Sequence, residues 1–341
     1  MRKLLSLLLK AAVSGVLLYV ALNWVDIGAV AGRFNRIVPG WLVLGVLASL
    51  AQMALTAIRW QQILAQCGGR FGFGYLFRVC MIGAFFNQTL PSSVGGDAMR
   101  IWLVGKRADW RLATYSVLLD RLVGVIALAV LVIACLPWTL RLVTDPVGRA
   151  ALLVIGVGSL AAGAMFLALG WRRLRFLHRW APTRHLAATA AVAMDILRAP
   201  RRLSAIMAVS FVSHFTTVVS CWCAARAVGA DLSLLNALYL VLPVALISIV
   251  PISIAGWGVR EGAMVAAFAY AGLPQSDGLV VSILFGGMAL VLGAAGGLVW
   301  VFDQIETPTL QRARHEDVNV SAAVIASPER SEGRSNPEVR L

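Results

Sequence analysis

The sequence predicts an all-α polytopic membrane protein, with about six full spans plus two re-entrant (or short-span) hairpins arranged as an inverted-topology repeat. Three observations predict this fold. Hydrophobic residues make up 60% of the 341 residues and charged residues only 13%, whereas soluble domains have about 25% charged residues. The apolar residues form runs long enough to cross a bilayer. A short motif recurs in the two runs that glycine and proline interrupt.

Six uninterrupted apolar runs approach the roughly 20 residues that a membrane-spanning helix needs. They cover 4–22, 39–58, 112–134, 150–170, 203–226 and 279–302. No cleavage site of small residues follows the run 4–22, so we interpret it as a first span rather than a signal peptide. Two further stretches, 76–99 and 235–272, contain glycine, proline and polar residues. We expect each of them to form a re-entrant hairpin or a pair of short spans.

The net charge of +14, from 30 Lys and Arg against 16 Asp and Glu, indicates the orientation. With both termini cytoplasmic and both hairpins returning to their own side, most basic residues face the cytoplasm, Arg59 among them, as the positive-inside rule requires. Topology thus accounts for the charge, and no nucleic-acid partner is expected. The basic stretch 171–202 becomes a cytoplasmic loop, either a plain positive-inside anchor or an anionic-lipid site. The polar segment 304–341 is predicted to be a disordered cytoplasmic tail.

A motif repeats at a constant offset of 160 residues within the predicted transmembrane domain, 1–303. Residues 91–100 read PSSVGGDAMR and residues 251–260 read PISIAGWGVR. In the predicted topology, the unit 39–134 begins and ends outside, and the unit 203–302 begins and ends inside. Inverted repeats of this kind occur in secondary transporters, where interrupted helices from both halves form the substrate site near the midplane.

The residue types at the interruptions favour an anionic ligand. Proline breaks a helix, glycine allows close backbone approach, and a helix that begins after the break favours an anion at its N-terminus. Serine hydroxyls add donors, and arginine can bind phosphate through two hydrogen bonds. A pair that only locks the hairpins is the structural alternative. The candidate substrate-binding residues are Asn87, Pro91, Ser92, Ser93, Gly95, Gly96, Asp97, Arg100, Asp120, Arg121, Pro251, Ser253, Gly256, Gly258, Arg260 and Glu261.

The acidic candidates are expected to compensate the arginines, because an uncompensated charge at membrane depth is costly. Asp97 and Glu261 are the first partners for the arginines of the two motifs. Asp120 would meet Arg260 or Arg100, and Arg121 would meet Glu261. Adjacent residues on a helix face different directions, so Asp120 and Arg121 need separate partners.

The two motifs, together with Asp120-Arg121-Leu122, resemble the lysylphosphatidylglycerol synthase transmembrane-region family. This family is the flippase part of the bacterial multiple peptide resistance factor and includes stand-alone relatives. The resemblance covers about 5–303 and implies a bacterial inner-membrane protein that moves a lipid between leaflets. The resistance factor carries an aminoacyl-transferase domain after its membrane part, and the tail 304–341 does not resemble one. We therefore expect this chain not to make lysyl-phosphatidylglycerol itself.

The expected function is translocation of an anionic or zwitterionic phospholipid or glycolipid, with no cofactor and with a lipid-biosynthesis enzyme as a possible partner. No G-x-x-x-x-G-K-[ST] motif for ATP occurs in the sequence. Two alternatives remain open. One is a membrane-embedded lipid-modifying enzyme of a glycolipid or hopanoid pathway that uses Asp97 or Glu261, and the other is an accessory subunit. The sequence indicates no oligomeric state.

Overall fold

The structure is a computed structural model that describes residues 37–89, 94–143, 145–168, 181–249 and 258–302. Within these ranges the chain forms ten α-helices and no strands. They are α1 (Pro39–Gln66), α2 (Phe73–Thr89), α3 (Gly95–Gly105), α4 (Trp110–Leu142), α5 (Pro146–Ala168), α6 (Ala181–Arg198), α7 (Pro200–Ala227), α8 (Leu234–Ser248), α9 (Val259–Tyr270) and α10 (Gln275–Phe302). The predicted span 4–22, residues 171–180 of the predicted loop 171–202, and the tail 304–341 lie outside the described residues.

Five helices are long and apolar enough to cross a membrane. They are Pro39–Gln66, Trp110–Leu142, Pro146–Met165, Pro200–Ala227 and Gln275–Phe302. They coincide with five of the six predicted spans and confirm a polytopic α-helical membrane protein.

Two of these helices continue well past the predicted C-terminal ends of their apolar runs. α1 continues past the predicted end at residue 58 through Arg59, which is buried. α4 continues past Pro137, since one missing N–H donor does not end a helix whose neighbours still pair their backbone groups. Arg59, which was expected in a cytoplasmic segment, is therefore part of this helix and buried against its neighbours. The predicted run 39–58 stops before a charge and the run 112–134 stops shortly before a proline, but a helix continues while its backbone groups remain bonded.

Each interrupted stretch forms two short helices in the described residues. α2 and α3 have 17 and 11 residues, and α8 and α9 have 15 and 12. All four are shorter than the roughly 20 residues of a full span. The two helices of each pair pack against each other, as expected of a hairpin. The connecting residues 90–93 and 250–257 lie outside the described part of the chain.

The long helices α1 and α7 run antiparallel and in contact along their whole length. Four contacts fix their pairing: Val38 with Ala227, Ser49 with Ser220, Gln52 with Ser213, and Gln66 with Arg202. The residue numbers rise along one helix as they fall along the other. Both helices have 28 residues and begin at a proline. Equivalent elements of the two predicted repeat units therefore point in opposite directions.

The remaining contacts repeat between a first unit, α1–α4, and a second unit, α7–α10. α2 packs on α10 as α8 packs on α4, and α1 packs on α10 as α7 packs on α4. Within each unit, the first helix contacts the hairpin and the second hairpin helix contacts the last helix. This is the contact pattern of two units related by an approximate two-fold axis. Because α1 and α7 are antiparallel, that axis is roughly perpendicular to the two helix axes.

The equivalent helix pairs α2–α10 and α8–α4 differ in how closely they pack. In the α2–α10 pair, a Cβ atom at Gly296 would overlap the carbonyl oxygen of Met81, and one at Gly297 would lie 2.8 Å from Phe85. At the 160-residue offset, α4 has Leu136 and Pro137 instead. Beside α4 and α8 the structure has an apolar cavity of about 160 Å³. The two-fold relation is therefore one of topology and not of side-chain packing.

The antiparallel contact between α1 and α7 predicts a specific cross-link. Ser49 Oγ and Ser220 Oγ are 2.6 Å apart, close enough for a disulfide after replacement of both residues. In a background without the five native cysteines, Ser49→Cys with Ser220→Cys should form an internal disulfide on mild oxidation. Mass spectrometry of the digested protein would identify the linked peptides.

The matched control replaces Ser213 instead of Ser220. Ser213 lies about two helical turns, or roughly 10 Å, from Ser220 along α7, so Ser49→Cys with Ser213→Cys should remain reduced. Equal yields from the two pairs would contradict the register described for α1 and α7.

Candidate functional site

A cavity of about 260 Å³ lies at the junction of the two units. Residues of α1, α2, α3, α4 and α7 line it, together with Ile249 at the end of α8. Gln52 of α1 and Ser213 of α7 both line it and lie 3.5 Å apart, Gln52 Nε2 to Ser213 Oγ. These two residues occupy equivalent positions of the antiparallel pair. The cavity is thus formed where the approximate two-fold axis passes between the units.

Five charged side chains of the first unit form a continuous series of ion pairs beside this cavity, which we call the charge ladder. Asp120 Oδ1 accepts from Arg59 Nε at 2.8 Å, and Asp120 Oδ2 accepts from Arg100 Nη2 at 2.7 Å. Arg100 Nη1 donates to Asp97 Oδ1 at 3.3 Å. Arg121 Nε donates to Asp97 Oδ2 at 2.7 Å. The ladder therefore connects α1, α3 and α4 through alternating charges.

The ladder is buried at one end and accessible at the other. Arg59 is 7% exposed, Arg100 6% and Asp120 1%, whereas the Arg121 side chain is 52% exposed. A buried charge without a partner costs several kcal/mol, and Asp120 compensates two guanidinium groups at once. Three arginines face two aspartates, so the ladder keeps one positive charge in excess.

The start of α3 explains how Arg100 reaches the cavity. Asn87 Oδ1 accepts from the Gly96 amide at 2.8 Å, which satisfies one of the first N–H groups of a helix that lack an internal partner. A Cβ atom at Gly96 would overlap the Gly83 carbonyl oxygen and lie 2.6 Å from Asn87. The glycine therefore lets α3 lie directly against α2. Arg100 follows one turn later, with its guanidinium 4.1 Å from the centre of the Trp60 ring.

The arginine of the second motif belongs to a separate cluster. Arg260 Nη2 donates to Glu261 Oε1 at 2.8 Å, and Arg260 Nε donates to Ser282 Oγ at 3.1 Å. Glu261 Oε2 accepts from the Gly258 amide at 2.6 Å. Gly258 has φ 88°, a left-handed conformation that glycine adopts without strain. None of these residues lines the cavity of about 260 Å³.

The structure decides between the predicted ion pairs. Asp97 with Arg100, Asp120 with Arg100, and Arg260 with Glu261 are confirmed. The expected pair of Arg121 with Glu261 is wrong, because Arg121 binds Asp97. α9 begins at Val259, four residues later in the repeat frame than α3, which begins at Gly95. Arg260 therefore takes its acid from the next residue, and Arg100 takes one from the preceding turn.

The predicted site residues divide into three groups. Asn87, Arg100, Asp120 and Arg121 line the cavity, and Gly95, Gly96 and Asp97 belong to the helix start beside it. Gly258, Arg260 and Glu261 form the second cluster. Six predicted site residues lie outside the described part of the chain, and their roles stay predictions: Pro91, Ser92, Ser93, Pro251, Ser253 and Gly256.

The sequence interpretation missed the contributions of α1 and α7. Gln52, Thr56 and Arg59 all line the cavity, and their spacing of four and three residues places them on one face of a helix. That polar face interrupts an otherwise apolar span, and this pattern in the sequence could have indicated that α1 contributes to the site. On α7, Ser213 and His214 also line the cavity, and His214 Nε2 lies 3.0 Å from the Gly124 carbonyl oxygen.

Removal of the shared carboxylate should destabilise the protein. Asp120→Asn leaves Arg59 and Arg100 without their common partner, and breaking a buried ion pair typically costs about 3–5 kcal/mol. We expect the midpoint of thermal unfolding of the purified protein in detergent to fall by several degrees. The midpoint can be measured with a fluorescent probe of unfolding that does not react with thiols.

The control for this substitution is Asp195→Asn on α6. Asp195 also pairs with an arginine, Arg198, at 3.7 Å, but both side chains are more than 70% exposed, and such pairs contribute little. An unchanged midpoint in Asp120→Asn, or an equal fall in Asp195→Asn, would contradict the role assigned to Asp120.

Comparison with known proteins supports the family resemblance that the two motifs indicate. The family model described as the lysylphosphatidylglycerol synthase TM region matches residues 7–297, which is most of the chain. A search of curated proteins found no match. The chain belongs to the lysylphosphatidylglycerol synthase transmembrane-region family.

Proposed function

We propose that the protein is a lipid translocator, in which the headgroup of an anionic or zwitterionic lipid crosses the bilayer through the cavity beside the charge ladder. The observation that carries the proposal is the excess positive charge at a cavity between two oppositely directed units. Such a junction is where secondary transporters bind their substrates. The acyl chains would remain in the hydrocarbon region while the headgroup passes.

The proposal meets the main physical obstacle to lipid exchange between leaflets. A charged headgroup in hydrocarbon loses its hydration, and moving an ion into a medium of low dielectric constant is very costly. Guanidinium groups and neutral donors replace part of that hydration. The cavity offers Arg100 and Arg121 together with the side chains of Asn87 and Gln52.

The polar contacts between the units are individually weak enough to exchange during a movement of one unit against the other. α1 and α7 meet through the Ser49–Ser220 and Gln52–Ser213 contacts. Hydrogen bonds between transmembrane helices contribute on average only about 0.6 kcal/mol. Rocking of the two units about the fixed cavity would expose it to each leaflet in turn. In this proposal Arg260 and Glu261 hold the second hairpin in shape rather than bind the headgroup.

We further propose that the protein lies in the bacterial inner membrane with both termini cytoplasmic. The distribution of basic residues favours that orientation. Cytoplasmic arginines would concentrate anionic lipids near the inner leaflet, since each basic residue at such a surface contributes about 1 kcal/mol. A lipid-biosynthesis enzyme that supplies the lipid would be its natural partner.

Translocation by reconstituted protein tests the proposal. In proteoliposomes with fluorescent phosphatidylglycerol in both leaflets, wild-type protein should make the inner-leaflet lipid accessible to an external quencher. Arg121→Ala removes a half-exposed cavity arginine whose described ion-pair partner is Asp97. This substitution should slow the exchange at least about tenfold, because it removes roughly 1.4 kcal/mol of binding to the crossing headgroup. Arg100→Ala should slow it further, because its guanidinium is the most enclosed.

The matched control is Arg111→Ala, which removes an exposed arginine on α4 that does not line the cavity. It should exchange lipid at the wild-type rate. Normal exchange by Arg100→Ala and Arg121→Ala would contradict the proposal. Formation of a new lipid species in the same vesicles, detected by mass spectrometry, would favour the lipid-modifying enzyme instead.

A further inference from the structure

We infer that α8 is a gate hinged at Pro243. Its C-terminal part, residues 244–249, swings toward the apolar cavity of about 160 Å³ and thereby widens the cavity beside the charge ladder. The gating role rests on the proposed function, because it names the helix that admits the headgroup, whereas the swing itself does not. Three features carry the inference: the position of α8 between the cavities, the proline inside it, and the unequal packing of the two hairpins.

α8 separates the two cavities. Successive residues of a helix turn by about 100°, and five residues within roughly 140° of one another line the apolar cavity: Tyr239, Leu240, Pro243, Val244 and Ile247. Ile249 lines the cavity beside the charge ladder instead. It follows Ile247 by two residues, or about 200°, and therefore lies on the opposite side of α8. A displacement of this end of the helix toward the apolar cavity widens the other one.

Pro243 supplies a hinge within α8. Proline has no N–H group, so the carbonyl oxygen of Tyr239, four residues earlier, lacks its partner within the helix. The Thr139 hydroxyl of α4 donates to that oxygen at 3.2 Å. This bond and the stacked rings of Trp138 and Tyr239 attach the N-terminal part of α8 to α4. Because a helix bends most readily at a proline, the part that moves is 244–249.

The packing of the second hairpin gives α8 room that the equivalent helix α2 lacks. α2 lies so close to α10 that a Cβ atom at Gly296 or Gly297 would press on Met81 or Phe85. α8 instead borders the apolar cavity, whose volume of about 160 Å³ equals that of roughly five water molecules. A movement of the second hairpin helix is therefore easier than the same movement of the first.

The apolar cavity takes up and releases hydrocarbon as α8 moves. Of the 14 residues that line it, only three carry polar side-chain atoms: Thr139, Tyr239 and Tyr270. Ala151 of α5 also lines the cavity and is exposed, so the cavity opens at the surface of the helical bundle. Lipid tails are as apolar as a leucine side chain and pass in and out without breaking hydrogen bonds.

Hydrogen–deuterium exchange of the full-length protein in lipid nanodiscs tests the swing. Local opening of a helix exposes its amides to exchange. In wild-type protein, peptides that cover 244–249 should take up deuterium faster than peptides that cover 81–87 of α2. Ala266→Leu narrows the apolar cavity from α9 and should slow uptake in 244–249 at least about threefold. Ala151→Leu narrows it from α5 and should act in the same direction if the first variant does not fold.

The matched control is Ala269→Leu, which adds the same side chain to α9 outside the cavity. Ala269 is exposed and does not line the apolar cavity, so uptake in 244–249 should stay at the wild-type value. Unchanged uptake in both Ala266→Leu and Ala151→Leu, or equal slowing in Ala269→Leu, would overturn the inference.

Pro243→Ala tests the hinge. Alanine restores an N–H group that bonds the Tyr239 carbonyl oxygen within the helix, so α8 should become stiffer. Uptake in 244–249 should fall, and lipid exchange in proteoliposomes should slow at least about tenfold, since the gate opens less often. Wild-type uptake in this variant would contradict a hinge at Pro243.

The outcomes separate the gate from the proposed function. Slower uptake in Ala266→Leu, together with no lipid exchange by wild-type protein, would contradict translocation and leave the swing of α8 intact. Slower uptake in Ala266→Leu, together with lipid exchange at the wild-type rate in the same variant, would contradict the gating role and leave translocation intact.

Discussion

Asp120 accepts hydrogen bonds from guanidinium groups on two different helices, and the site depends on that double pairing. Through it, Arg59 of α1 and Arg100 of α3 are held against α4 at 2.8 and 2.7 Å. In hydrocarbon or protein neither arginine could be buried alone, since an uncompensated charge there costs several kcal/mol. The carboxylate therefore fixes where the hairpin helix α3 lies. It also keeps Arg100 at the wall of the cavity.

The close packing of the first hairpin supplies the other constraint. Gly96 allows α3 to touch α2 at Gly83, and Asn87 binds the freed amide at the helix start. A larger residue at position 96 would push α3 away from α2 and carry Arg100 out of reach of Asp120. Backbone proximity and charge compensation thus act on the same short helix. Together they place a cationic group inside the helical bundle, where only 6% of Arg100 is exposed.

The two units share a topology but differ in chemistry. The hairpin arginine of the first unit binds a carboxylate on the following long helix, whereas Arg260 of the second binds a hydroxyl, Ser282, on the equivalent helix. The excess positive charge beside the cavity therefore comes from one unit only. The second unit contributes neutral walls through α7 and the end of α8. A two-fold scaffold with one-sided charge gives the cavity a cationic face opposite a neutral one.

Amino-acid pattern by itself determined the membrane class, five of the long helices, the two interrupted hairpins and the antiparallel repeat. These features follow from apolar run length and from a motif at constant offset, and both are local properties of the chain. The local acid partners of Arg100 and Arg260 were also predictable, because they lie within one helical turn.

Only the tertiary structure decided that Arg59 joins the site, that Arg121 binds Asp97, and that Arg260 lies apart from the cavity. Those outcomes depend on which helix faces meet across sequence distances of 20 residues or more, and on a four-residue difference in where α3 and α9 begin. Local periodicity does not fix either quantity, since both are set by how whole helices pack.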